Sequence, residues 1–125
     1  MRVTVGQDIA GAKGALAVER TALASFLHFA RENKEIYRII DEAEFVDPEA
    51  YRQHYQTTAT RIFERLQAGA AAGELRDDLS EAHAWALMGM NVFLGLRYSI
   101  WDEDMSVEDV VAASDSLLRR GIAKA

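Results

Sequence analysis

The chain has 125 residues, of which 50% are hydrophobic and 27% are charged, and this composition is typical of one soluble globular domain. Its net charge of −6 is uneven, because residues 1–40 hold six Lys and Arg against four Asp and Glu, whereas residues 41–125 hold eight against sixteen. An acidic body argues against DNA binding by this chain alone. The absence of cysteine excludes disulfides, and without an apolar signal or a membrane-length apolar run we expect a cytoplasmic protein with no membrane contact.

The hydrophobic pattern predicts an all-α fold. Residues 1–14 are interrupted by glycine, and we expect a lead-in or the remnant of a shortened helix there, followed by one domain over residues 15–125. Apolar residues at helical spacing predict a first helix over about residues 15–31 and a short second helix over about residues 34–42.

Capping residues mark the next helix and the last one. Asp47 can cap a helix whose first residue is Pro48, and that helix is expected to stop near Gly73. The last helix is expected to begin after Ser106 and to end at Gly121. The chain therefore predicts a bundle of about five helices.

The helix between these two, from near Ser80 to about Trp101, is apolar on both sides. At 100° per residue, one face carries Trp85, Met88, Gly89, Val92 and Leu96, and the other carries Leu87, Met90, Leu94, Tyr98 and Trp101. A helix that is apolar all round must be buried all round. So short a chain can cover one face with its own helices, so the second face predicts a partner, most economically another copy of the chain. Asn91 lies beside this second face, where it either fixes the register of a symmetric interface or sits on a solvated flank.

No pattern of catalytic or metal-binding residues emerges. His28 and Glu32 share a helix face, but the chain has no second Glu-x-x-His pair to complete a di-metal site. It also has no G-x-S-x-G elbow and no phosphate-binding glycine loop. The acidic runs at 41–49 and 102–104 flank predicted helix ends, where carboxylates are usually solvated or capping. We therefore expect no enzyme activity, no metal and no cofactor.

Aromatic and methionine side chains are more suggestive. They lie on helices that are expected to pack together, and they are compatible with an apolar ligand cavity that offers a few hydroxyl groups. Periodicity alone nevertheless favours a filled core. The set comprises Phe26, Phe29, Tyr37, Tyr51, Tyr55, Phe63, Trp85 and Met88.

Three segments follow one another in a characteristic order: FLHFARENKEIYRIIDEAEFVDPEAYRQHY, then GELRDD, then AWALMGMNVFLGLRYSIW. Over about residues 20–121 this order resembles the C-terminal regulatory domain of TetR-type transcriptional repressors. In that family a long helix ends at a GEL motif, and the last two helices form the four-helix bundle of a homodimer. The resemblance implies a domain that binds a small, largely apolar effector among its first four helices and that self-associates through its last two.

The resemblance also implies which residues act. The implied ligand-binding residues are Phe26, Phe29, Tyr37, Tyr55, Ile62, Trp85, Met88 and Val92. In that set the rings and the methionine supply apolar contact, while Tyr37 and Tyr55 offer hydroxyls that orient the ligand. The implied dimer residues are Leu87, Met90, Asn91, Leu94, Tyr98, Val110, Val111, Leu117 and Leu118.

One departure from the family pattern concerns DNA. TetR-type proteins begin with a three-helix head that contains a helix-turn-helix motif, whose second helix enters the major groove. Nothing before Ala15 matches that head, so we expect either a fragment without it or a naturally headless relative, and no DNA contact except through such a head. Two other functions remain open: a dimerisation module with a filled core, and, less well supported, an enzyme built on a helical bundle.

Overall fold

The computed structural model describes residues 14–124, so the lead-in predicted for residues 1–14 lies outside the described residues except for Gly14. Within this range the chain is all-α, as predicted, with five α-helices and no strand. The helices are α1 (Ala15–Glu32), α2 (Lys34–Val46), α3 (Pro48–Ala71), α4 (Glu81–Gly95) and α5 (Val107–Arg120), and a π-helical segment, Leu96–Trp101, continues α4. None of the helices described is both long and apolar enough to cross a membrane.

Helix α3 begins and ends as the sequence predicts. Pro48 is its first residue, and the Asp47 carboxylate accepts a hydrogen bond of 3.2 Å from the backbone N–H of Ala50. Proline suits this position because its missing N–H would have no helical partner there. At the other end, Gly73 has a φ of 77°, a left-handed conformation that glycine adopts without strain.

Helix α5 also follows its prediction, whereas α2 is longer than expected. The Ser106 hydroxyl accepts a hydrogen bond of 3.1 Å from the N–H of Asp109, and Gly121 ends α5 with a φ of 64°. Helix α2 continues beyond residue 42 to Val46, because the residues before the Asp47 cap are compatible with a helix although their side chains are exposed. A further cap escaped the prediction: the His83 ring accepts a hydrogen bond from the N–H of Ser80 at the start of α4.

The hydrophobic core has two parts. The α3–α4 cluster consists of Ala59, Ile62, Leu66, Ala84, Leu87 and Met88. The α1–α5 cluster consists of Leu23, Leu27, Val107 and Val110, and Leu94 and Tyr98 pack against it. Helix α1 is central to the bundle because it contacts every other helix.

Polar side chains fasten α1 to its neighbours. The Arg65 guanidinium of α3 donates two hydrogen bonds, of 2.8 and 3.0 Å, to the carboxylate of Glu19, whose exposed fraction is only 5%. On the other side, Arg20 pairs with Asp115 of α5 at 3.0 Å. The Arg65–Glu19 pair is bidentate, which fixes both position and orientation, so it constrains how α3 lies against α1. The Arg20–Asp115 pair is a single, partly exposed contact and constrains α5 less.

The C-terminal end of α1 holds the π-helical segment. The hydroxyl of Ser99, which is fully buried, donates a hydrogen bond of 2.9 Å to the Leu27 carbonyl. The Arg31 guanidinium donates to the carbonyl oxygens of Tyr98, at 2.9 Å, and of Met105. The bond to Tyr98 gives a partner to a backbone carbonyl near the end of the π-helical segment, where the regular helical partners run out.

Helix α4 does not divide into the two faces that its sequence predicts. Leu87 and Met88 were expected on opposite faces, but both belong to the α3–α4 cluster. The buried side lies between the two predicted faces and includes the small residues Ala84 and Gly95. Small residues let neighbouring helices approach closely, and a count of large apolar side chains overlooks them. On the outward side, apolar side chains remain uncovered, with Phe93 at 67% exposed.

Candidate functional site

An open cleft lies between α2, the N-terminal half of α3, and α4. Its volume is about 1190 Å³, which is ample for a small organic ligand. Tyr37 and Asp41 line it from α2, and Tyr51 and Tyr55 line it from α3. The wall contributed by α4 consists of Trp85, Met88, Gly89, Val92 and Phe93, together with Leu96 of the π-helical segment.

Tyrosine rings form the side of the cleft opposite α4. Tyr51 and Tyr55 lie one turn apart on α3, and their rings meet edge to face, with centroids 5.0 Å apart. Tyr37 reaches across from α2, and its hydroxyl donates a hydrogen bond of 2.7 Å to the Val92 carbonyl. This bond links α2 directly to α4.

The hydroxyls of Tyr37 and Tyr55 stay neutral at physiological pH, because the pKa of each is raised. Burial raises the pKa of Tyr55 to about 12, with further contributions from Tyr51 and from the Asp41 carboxylate. Burial also raises the pKa of Tyr37 well above its ordinary value. The Tyr55 phenol can therefore donate or accept a hydrogen bond without carrying charge, whereas the Tyr37 hydroxyl, which donates to the Val92 carbonyl, can still accept one.

The α4 wall leaves room because one of its residues is glycine. A Cβ at Gly89 would meet no described atom within 4 Å, so the space in front of this residue is open. Trp85, one turn earlier, is partly exposed at 38%. Met88 lies on the buried side, where it belongs to the α3–α4 cluster. Through Met88, the apolar lining of the cleft is therefore continuous with the core.

Polar groups in the lining carry a negative balance. Asp41 and Glu49 contribute two carboxylates, and Arg52 contributes one guanidinium. The Glu44 carboxylate also lies close enough to raise the pKa of Tyr55. His54 stands beside Tyr55, with ring centroids 4.9 Å apart, and burial lowers its pKa, which favours the neutral imidazole.

The structure brings most of the predicted ligand-binding residues together. Those that line the cleft are Tyr37, Tyr55, Trp85, Met88 and Val92. Phe26, Phe29 and Ile62 do not line it. The Phe26 ring lies beside Tyr37, with centroids 6.1 Å apart, and close to Gly95, whereas Ile62 belongs to the α3–α4 cluster.

Several lining residues escaped the sequence reasoning. Asp41 and Glu49 were assigned to solvated helix ends, and Tyr51 was noted only as an aromatic residue on a packed helix. The signal that could have found Asp41 is its position four residues after Tyr37, which places both on one face of α2. Nothing in the local sequence marks Glu49 beyond its place in the first turn of α3.

The predicted dimer residues have different surroundings. Leu87 and Val110 are buried in the chain's own core, so they leave little surface for a second copy. Half-buried side chains that pack against the two clusters are Met90, Leu94, Tyr98, Val111 and Leu118. Leu117 is 40% exposed. Asn91 is half-buried, and its Oδ1 atom has no hydrogen-bond partner among the described residues.

Over residues 14–124, no three His, Asp or Glu side chains come together as metal ligands would. Comparison with known proteins adds no identification, because no protein-family model matches the chain and no curated protein matches it. The cleft and the exposed apolar side chains are therefore the features of the described residues that bear on function.

Proposed function

We propose that this chain is the effector-sensing and dimerisation domain of a TetR-like transcriptional regulator, and that it is not an enzyme. In this proposal it binds a small, largely apolar ligand in the cleft and self-associates through α4 and α5. The observation that carries the proposal is the open cleft, because five of the eight side chains implied by the resemblance line it. A dimerisation module with a filled core is the alternative.

The lining supports an apolar ligand with a few polar groups. Trp85 and Met88 supply apolar surface, and burying such surface is worth roughly 25 cal/mol per Å². The neutral hydroxyls of Tyr37 and Tyr55 supply orientation. Pockets of this kind, mostly apolar with a few placed polar groups, are typical of small-molecule sites.

Exposed apolar side chains support self-association. Trp101 at the end of the π-helical segment is 64% exposed, and Leu117 on α5 is 40% exposed. Both side chains are therefore accessible to another protein. A second copy is the occupant that the resemblance implies, because in TetR-type proteins the last two helices pair across a dimer.

Ligand binding can be tested through Trp85. Replacement of Trp101 by phenylalanine leaves Trp85 as the chain's remaining tryptophan, so its fluorescence reports on the cleft. Titration with a panel of apolar compounds should shift this emission, and Met88→Ala should weaken the response. No response to any compound in the panel would favour the filled core.

Self-association can be tested with a matched pair of substitutions. Leu117→Glu places a charge on the proposed surface and should give a folded monomer by sedimentation velocity, because burial of an unpaired charge is costly. Ile39→Glu on α2 replaces another exposed apolar residue and should leave the dimer unchanged. A dimer that survives Leu117→Glu would exclude this surface. Leu94 is a poorer choice because it packs within the chain's own α1–α5 cluster.

A further inference from the structure

We propose that the ligand of the cleft is a lipophilic organic cation, such as a quaternary ammonium or a phosphonium ion. In this proposal the aromatic rings of α3 and α4 hold the ligand, and the carboxylates of α2 and α3 select its charge. The inference rests on the proposed ligand-binding function and specifies its ligand class.

Charge is the first argument. The lining holds the carboxylates of Asp41 and Glu49 against the single guanidinium of Arg52. Glu44, just outside the lining, adds a third carboxylate whose field reaches Tyr55. This arrangement therefore attracts a cation and repels an anion.

The aromatic lining is the second argument, and it is independent of the acidic residues. Tyr51, Tyr55 and Trp85 surround the cleft on two sides. The face of each ring carries a partial negative charge, and it attracts a cation that lies within about 6 Å of the ring centre. A tyrosine phenol is neutral at physiological pH, and burial raises the pKa of Tyr55 further, so its ring imposes no strongly hydrated anion on the apolar space.

Space and solvation are the third argument. The cleft volume of about 1190 Å³ accommodates a bulky cation. The empty space next to Gly89 allows that cation to contact the α4 wall. A small, strongly hydrated cation would lose water without gaining apolar contact. A cation that spreads its charge over apolar groups loses less hydration and buries apolar surface against Trp85 and Met88.

The test uses two probes that match in size and shape and differ in the sign of their charge: tetraphenylphosphonium and tetraphenylborate. Isothermal titration calorimetry with the intact protein should give a phosphonium affinity at least about tenfold above that of the borate, or about 1.4 kcal/mol. This affinity should fall as NaCl is added, because the exposed carboxylates are screened.

Matched variants test whether the carboxylates of the cleft lining are what favours a cationic ligand. The double substitution Asp41→Asn and Glu49→Gln should weaken phosphonium binding about tenfold, or about 1.4 kcal/mol. Glu64→Gln removes a carboxylate from the same helix outside the lining, and it should leave the affinity unchanged. Circular dichroism checks that the double variant is folded. If it is not, the salt dependence and the comparison of the two probes in the native protein decide the question.

The outcomes separate the two proposals. Borate binding as tight as phosphonium binding, or a phosphonium affinity insensitive to the double substitution, would overturn the cation preference and leave ligand binding intact. The same holds if neutral apolar compounds shift Trp85 emission while neither ion binds. Failure of both ions and of the whole apolar panel would overturn the ligand-binding function itself.

Discussion

Gly89 and Gly95 offer a matched test of how α4 packs, because both lie in the same helix and differ in the space around them. Glycine in a helix interior is less favourable than alanine by about 0.8–1.0 kcal/mol. Replacement of either residue by alanine should therefore add the same helix-propensity contribution to the free energy of unfolding. A Cβ at Gly89 meets no described atom within 4 Å, whereas a Cβ at Gly95 would lie 2.5 Å from Cε2 and 3.1 Å from Cζ of Phe26.

These distances determine how much each substitution changes the free energy of unfolding. Gly89→Ala should raise the free energy of unfolding by about 1 kcal/mol. In Gly95→Ala the Phe26 ring must move, and because it lies beside Tyr37 the movement also disturbs α2. Overpacking of a core costs about 1–3 kcal/mol. The net change for Gly95→Ala should therefore lie between zero and a loss of about 2 kcal/mol.

The assay is urea unfolding of both variants, followed by circular dichroism at one protein concentration. A fixed concentration is needed because self-association would make the apparent stability depend on it. Equal slopes against urea would show that both variants expose the same surface on unfolding. If Gly95→Ala proves as stable as Gly89→Ala, the Phe26 ring does not lie as close to Gly95 as the structure describes.

Three further changes probe other contacts. Arg65→Ala should lower the free energy of unfolding by about 3–5 kcal/mol in urea titrations, since it leaves the buried Glu19 carboxylate unpaired; a loss under 1 kcal/mol would contradict a buried bridge. Hydrogen bonds from two arginines lower the pKa of Asp115, so its stabilising effect is present above about pH 4 and is lost as pH falls below that value. Asp115→Asn should make the free energy of unfolding less dependent on pH in the acid range. An unchanged pH dependence would contradict the ion pairs of Asp115 with Arg20 and Arg119. Tyr37→Phe should speed amide hydrogen exchange in α2 while lowering global stability by about 1 kcal/mol or less; an unchanged exchange rate in α2 would show that other contacts hold it.

Local chemistry explains why the helix ends could be predicted. Asp47 and Ser106 cap their helices through hydrogen bonds that involve residues only three positions away. Gly73 and Gly121 end helices through their own backbone conformations. Such signals depend on neighbours in sequence, so they can be identified without knowing the fold.

Burial of α4 could not be predicted because it depends on partners distant in sequence. Gly95 is buried because the Phe26 ring of α1 lies against it, and Ser99 can be buried because its hydroxyl donates a hydrogen bond to the Leu27 carbonyl. Neither residue has a large apolar side chain, so the hydrophobic pattern of the sequence does not predict that either is buried. No local sequence signature marks the π-helical continuation of α4.

The same reasoning explains why the cleft was only partly predicted. A core is specified by side chains that fill it, whereas a cleft is specified by what its walls leave unfilled. None of the thirteen residues of α2, all of which the structure describes, is buried, and Phe45 and Val46 are each 84% exposed. This wall is attached through the Tyr37 hydrogen bond to α4, and Lys34 at its start pairs with Glu103 at 3.0 Å. Elements with few buried apolar contacts open at lower free energy than the core, so a ligand that contacts α2 and α4 together would add apolar contacts that this helix otherwise lacks.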